Sequence, residues 1–342
     1  MSMDADIPFL LSLAFIVGGL YALARSADMF IGAASVIARH FGVSPLIVGM
    51  VVIGFGTSAP ELAVSAISGA SGHSNLSLGN AYGSCIFNIG AILGVTAIIW
   101  PIRVKPSVNW IAVPMLLSVT AISAWLVGDG DFERSNGISL LTAFAVLLPV
   151  YCWYDQKKGR GATTMEKGAI SQPPCPPIES ARMWREWLKL FAGLALLVLS
   201  SHVLVWGSVD FARDVLHVSD LMIGLTVVAV GTSLPELASA IASARKGESE
   251  FVVGNIVGSN FFNTLAVVGM AGTISPFSDF SRYIIWRDLP MMFALTILVA
   301  LLGVNWRNWR EPGCIGRWKG VVFAAVFLVY FVVMVSQEMG WI

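Results

Sequence analysis

The sequence predicts an all-α integral membrane protein of about ten transmembrane helices, arranged as two inverted-topology repeats of five helices each. Three observations predict it. Of 342 residues, 56% are hydrophobic and only 12% are charged, about half the charged share of a soluble domain. Apolar runs of about 20 residues, long enough to cross a ~30 Å hydrocarbon core, recur along the whole chain. An offset of 175 residues also lays one half on the other without a gap, from Leu46/Leu221 to Gly94/Gly269.

In the first half the apolar runs fall near residues 8–38, 44–70, 77–100, 107–127 and 137–154. The first of these lacks a basic leader and a small-residue cleavage site and outlasts a signal-peptide core, so it reads as part of the mature protein. Residues 155–186, polar and proline-rich with "SQPPCPPIES", read as a flexible linker, too short for a regulatory domain. The second half places runs near 187–216, 220–245, 250–275, 286–304 and 319–337. The chain therefore divides into a repeat at 1–154 and a repeat at 187–342. Five is odd, so corresponding helices cross in opposite directions, an architecture of secondary transporters whose site lies at the midplane between repeats.

Charge distribution sets the expected orientation. With the amino terminus outside, the cytoplasmic connections hold Arg39, Arg103, Lys105, Lys157, Lys158, Arg160, Lys167, Arg182, Arg185, Arg245, Lys246, Arg307, Arg310, Arg317 and Lys319, whereas the opposite ones hold Asp129, Asp131 and Glu133. The positive-inside rule selects this arrangement, with both termini outside. Trp100, Trp110, Trp153, Trp187, Trp286, Trp306 and Trp318 fall near helix ends, as anchors at the edges of a lipid bilayer. Net charge is zero, and no cluster of aromatic and basic residues suggests nucleic acid. Cys85, Cys152, Cys175 and Cys314 read as reduced thiols, since a zinc site would want closer pairing and nearby histidines.

Two motifs are duplicated. "GTSAPE" at 56–61 returns as "GTSLPE" at 231–236, so Thr57/Glu61 and Thr232/Glu236 each lie four apart, one turn along a helix face. Pro60 and Pro235 lack an N–H and displace the carbonyls of Gly56 and Gly231. The following helix of each half carries "GNAYGSCIFN" at 79–88 and "GNIVGSNFFN" at 254–263, which set Ser84/Asn88 and Ser259/Asn263 on one face, with glycines that permit close helix approach. Freed carbonyls, hydroxyls, amides and two carboxylates are hard oxygen ligands of the kind Na⁺ and Ca²⁺ take. A proline kink with Ser or Thr is common in membrane helices. It does not require a mid-helix glutamate, which costs on the order of 3 kcal/mol to insert. Asp28, Arg25, Asp210 and Arg213 read as snorkelling or ion-paired, His202 as a packing residue, and His73 as part of an outer loop.

These paired motifs resemble the two alpha-repeats of the sodium/calcium exchanger family, within the cation/calcium antiporter superfamily, in its prokaryotic form without a regulatory domain. The resemblance covers nearly the whole chain in helix count, linker position and orientation. It implies a membrane antiporter, not an enzyme, that needs no cofactor and uses a Na⁺ gradient to expel Ca²⁺ across a prokaryotic inner membrane. It further implies that Glu61 and Glu236 are shared by the Ca²⁺ site and adjacent Na⁺ sites, and that Thr57 and Thr232 give oxygen to Ca²⁺. Ser58, Ser233, Ser84, Ser259 and the carbonyls of Gly54 and Ala229 would serve flanking Na⁺ sites, and Asn88 and Asn263 the centre. Cys85 departs from the family's asparagine, present here as Asn260, and is given no role. Asparagine at 263, where the potassium-dependent branch has aspartate, implies K⁺ independence.

An H⁺/Ca²⁺ antiporter using the same glutamates is the alternative, although the proton-coupled branch places its glutamate in a "GNxxE" context. An intramembrane aspartyl protease is a poorer match: "GDGD" at 128–131 precedes Tyr154–Asp155, and both sit at loop edges. A passive cation channel would differ in conducting without a counter-ion gradient.

Overall fold

The computed structural model describes residues 3–71, 74–128, 130–161, 180–211, 229–278 and 281–339. The first half contains α1 (Met3–Phe41), α2 (Pro45–Thr57), α3 (Ala59–Ala70), α4 (Leu76–Ile99), α5 (Val108–Val127) and α6 (Arg134–Gly161). The second contains α7 (Ser180–Asp210), the short turn Ala229–Gly231, α8 (Leu234–Arg245), α9 (Ser249–Ile274), α10 (Ile284–Gly303) and α11 (Arg317–Glu338). Among the described residues, eight helices are long and apolar enough to span a membrane, or nine if the bent pair α2–α3 is one span. The run expected at 220–245 is described only from Ala229 onward. Helix also covers both ends of the expected linker, to Gly161 and from Ser180, and residues 162–179, including Cys175, lie outside the described residues.

The run 44–70 reads in sequence as one helix, but the structure breaks it at Ser58 with a bend of 46°. Pro60 is the reason. It cannot donate to the carbonyl four residues back and its ring clashes there, whereas the first turn of a new helix accepts it. Thr57 therefore ends α2, and Glu61 lies in the first turn of α3. π-helical turns interrupt α4 at Asn88–Leu93 and α9 at Phe262–Val267, the kind of local widening often found at functional sites.

α1 and α7 pack along one another so closely that a Cβ on Gly19 would come within 2.9 Å of the Leu204 backbone, and one on Gly193 within 2.9 Å of the Phe30 backbone. Their outer faces carry exposed Val17, Leu20, Leu196 and Leu199, as lipid-facing helices require. α9 lies at the opposite extreme, with every residue from Phe251 to Val267 buried. It contacts the first half directly: a Cβ on Gly254 would come within 2.6 Å of the Leu46 carbonyl oxygen. Two short antiparallel ribbons, absent from the sequence reading, tie loops of one half to the other. Ile102–Val104 pairs with Gly313–Ile315 and Asp131–Phe132 with Phe277–Ser278.

Candidate ion-binding site

The broken helices create the site. Ser58 (φ −84°, ψ 6°) caps α3 and Ser233 (φ −93°, ψ 9°) caps α8, each followed by a proline at the helix start and a glutamate in its first turn. Helix N-termini carry partial positive charge, which eases the burial of Glu61 and Glu236. Both carboxylates are buried, at 0% and 1% exposure. The two halves hold each other's charge: Ser58 Oγ donates to Glu236 Oε1 at 3.0 Å, and Ser233 Oγ donates to Glu61 Oε1 at 3.2 Å. Ser84 Oγ lies 3.4 Å from Ser233 Oγ.

A second cluster adjoins the first through Asn255. Thr57 Oγ1 lies 3.0 Å from the Ile53 carbonyl and 3.2 Å from Asn255 Oδ1, and Ser259 Oγ lies 3.4 Å from the Gly54 carbonyl. The amide of Asn255 donates to the Glu236 carbonyl at 3.2 Å, and its repeat counterpart Asn80 donates to the Glu61 carbonyl at 3.1 Å. These two clamps position the glutamate backbone. Neither asparagine is in the expected ligand set, although the duplicated Gly-Asn pair at 79–80 and 254–255 is a signal for both.

Asn88 and Asn263 are also buried. Asn88 Nδ2 donates to Asn260 Oδ1 at 3.1 Å, and Asn260 Nδ2 donates to the Cys85 carbonyl at 3.2 Å. The structure therefore brings together Glu61, Glu236, Thr57, Ser58, Ser233, Ser84, Ser259 and the Gly54 carbonyl, with Asn88 braced against Asn260. Thr232 sits at the turn before α8, and Ala229 opens the short helical turn upstream of it. Of the residues set aside, Asp28 forms an ion pair with Arg245, Cys85 is buried, and His202 is exposed with Nδ1 2.9 Å from the Val198 carbonyl.

Buried polar atoms without a protein partner concentrate on these residues: Glu61 Oε2, Glu236 Oε2, Thr232 Oγ1, Asn88 Oδ1 and both Asn263 side-chain atoms. Each such atom costs roughly 1–3 kcal/mol, and more when charged. A set of two carboxylates with hydroxyl, amide and carbonyl oxygens suits a hard cation. Among the described residues no group of three or more His, Cys, Asp or Glu could hold a metal.

Comparison with known proteins agrees with this chemistry. A family model described as sodium/calcium exchanger protein matches residues 11–153 and 186–336. The inner membrane protein YrbG of Escherichia coli K12 is 35% identical over 95% of this chain and 97% of its own length. The sodium/calcium exchanger MaX1 of Methanosarcina acetivorans is 28% identical over 92% of this chain and 96% of its own. A solved structure of the sodium-calcium exchanger NCX_Mj, soaked with Na⁺ and without Ca²⁺, superimposes with a TM-score of 0.77 at 28% identity, covering 94% of this chain and 98% of that one. The chain belongs to the sodium/calcium exchanger family, an integral membrane family of cation/calcium antiporters.

Proposed function

We propose that this protein exchanges Na⁺ for Ca²⁺ by alternating access and expels Ca²⁺ from the cytoplasm. The observation that carries the reading is the set of unpartnered, buried atoms on the duplicated motifs, foremost Glu61 Oε2 and Glu236 Oε2. Two carboxylates give the site a formal charge of −2, which one Ca²⁺ or two Na⁺ neutralise equally. Occupancy by one ion then excludes the other, which is what exchange needs.

In this reading Glu61 and Glu236 bind both ions, and Thr57 and Thr232 supply oxygens to Ca²⁺. Ser58, Ser84, Ser233, Ser259 and the carbonyls of Gly54 and Ala229 complete flanking Na⁺ sites, with Asn88 and Asn263 at the centre. Ser58 and Ser233 can donate to the glutamates and still turn hydroxyl lone pairs toward an ion. α1 and α7, joined glycine to backbone, slide as a pair against the remaining helices to expose the site to either side. Two inverted five-helix repeats at 1–154 and 187–342, joined by the linker 155–186, would make the two exposures near mirror images. Both termini would lie outside a prokaryotic inner membrane.

Reconstituted vesicles with Na⁺ and pH gradients imposed separately test the reading. Ca²⁺ flux should follow the Na⁺ gradient at fixed pH. Flux that follows only the pH gradient would assign the same glutamates to proton coupling, and flux with neither gradient would indicate a channel.

A further inference from the structure

We infer that Asn260, a residue outside the ligand set, positions Asn88 so that only its side-chain oxygen is presented to the ion, and that Cys85 leaves Asn263 without the equivalent brace. The inference rests on the site proposed above.

The orientation follows from one backbone carbonyl. Asn260 Nδ2 lies 3.2 Å from the carbonyl oxygen of Cys85. A carbonyl only accepts, so the amide nitrogen of Asn260 must face it. Asn260 Oδ1 then faces the other way, toward Asn88 at 3.1 Å, and the donor there must be Asn88 Nδ2. The remaining polar atom of Asn88 is Oδ1, which is buried and without a protein partner. A chain of two hydrogen bonds, anchored on backbone, thus turns the amide so that its acceptor is free.

The repeat offset of 175 residues carries Asn88 onto Asn263 and Cys85 onto Asn260. The brace for Asn263 would therefore have to come from Cys85. A thiol is a weak donor and a weak acceptor and is shorter than an amide. Cys85 Sγ instead lies 3.7 Å from the Asn260 carbonyl and 3.7 Å from Thr264 Oγ1. Asn263 accordingly keeps both Oδ1 and Nδ2 buried and unpartnered. The two central amides are chemically identical, but one is braced by a hydrogen bond and the other has no hydrogen-bond partner.

The test is a double-mutant cycle on Na⁺-driven Ca²⁺ uptake by the full chain in proteoliposomes, read as KM for Ca²⁺ separately from maximal rate. Asn260→Ser should raise KM about fivefold, the worth of one fixed hydrogen bond. Combined with Asn88→Ala it should add no further loss, because both changes remove the same oriented oxygen. Combined with Asn263→Ala the two effects should multiply. The exchange Cys85→Asn with Asn260→Cys conserves both side chains and should transfer the dependence from Asn88 to Asn263. Unchanged KM in Asn260→Ser, or effects of Asn260→Ser and Asn88→Ala that multiply, would overturn the positioning role. So would an exchanged variant that transports yet still depends on Asn88. Glu61→Gln serves as the control: if it transports normally the site itself is misplaced, whereas its inactivity together with a multiplicative cycle refutes the role of Asn260 alone.

Discussion

α4 and α9 carry nearly the same text, "GNAYGSCIFN" and "GNIVGSNFFN", yet they occupy different surroundings. α9 is enclosed by protein along its length from Phe251 to Val267, whereas α4 leaves Leu76 and Val95 exposed. Their first asparagines do the same work, Asn80 and Asn255 each holding a glutamate carbonyl. Their last asparagines do not, because Asn88 is braced and Asn263 is unpartnered. The difference shows what duplication has kept and what it has released. The backbone breaks, the carboxylates and the glutamate clamps remain paired, while the surroundings of the last amides have diverged through one position, Cys85 against Asn260.

If the carboxylates are the conserved part, their substitutions should be equally severe. Glu61→Gln and Glu236→Gln should each remove Na⁺-dependent Ca²⁺ flux by more than about a hundredfold, matching the ~3–5 kcal/mol typical of breaking a buried charge pair. Membrane insertion should be unaffected, as a protease-protection assay would read. Normal flux in one of the two would break the equivalence of the halves at its strongest point.

The amides should respond unequally. Asn263→Asp takes the formal charge of the site from −2 to −3 at an unbraced position. Protonation of the new carboxyl restores −2, so the variant should approach wild-type Ca²⁺ transport in acid and diverge from it in alkali, or else acquire a dependence on K⁺. Asn88→Ala should simply lower transport at all pH values. A pH and K⁺ profile of Asn263→Asp that superimposes on wild type would place that side chain away from the ions.

The smallest expected effect separates the two threonines. Thr232 Oγ1 has no protein partner, whereas Thr57 Oγ1 also contacts the Ile53 carbonyl and Asn255. Thr232→Val should weaken Ca²⁺ affinity about fivefold through loss of one neutral ligand, on the order of 1 kcal/mol. Thr57→Val should do the same and in addition lower thermal stability. Equal melting temperatures for the two variants would show that the Thr57 contact to Asn255 contributes nothing.

Much of this was legible in the sequence, and the limits are physical. Membrane class and duplication follow from apolar run length and the offset, and the improbability of a glutamate inside a span singles out Glu61 and Glu236, whereas Ser58, Ser233 and the Gly54 carbonyl came only with the family resemblance. Pro60 and Pro235 announced a disturbance, but periodicity alone placed Thr57 and Glu61 on one continuous helix. Whether a proline kinks a helix or ends it depends on what neighbouring helices offer the freed backbone, and Ser58 became a cap. The Asn80 and Asn255 clamps and the Asn260 brace join different helices through side chains. No local pattern encodes which carbonyl an amide will face. The two short ribbons were hidden because strands of two or three residues have no period to detect.

The central claim is that both halves contribute one carboxylate to a single site shared by Na⁺ and Ca²⁺. Equilibrium ⁴⁵Ca²⁺ binding to the purified protein, titrated with Na⁺, tests it most directly. The account predicts saturable Ca²⁺ binding that Na⁺ displaces competitively with an apparent Hill coefficient above one, and loss of that binding in Glu61→Gln and Glu236→Gln alike. Ca²⁺ binding that Na⁺ leaves undisturbed, or that survives in either glutamine variant, would contradict it.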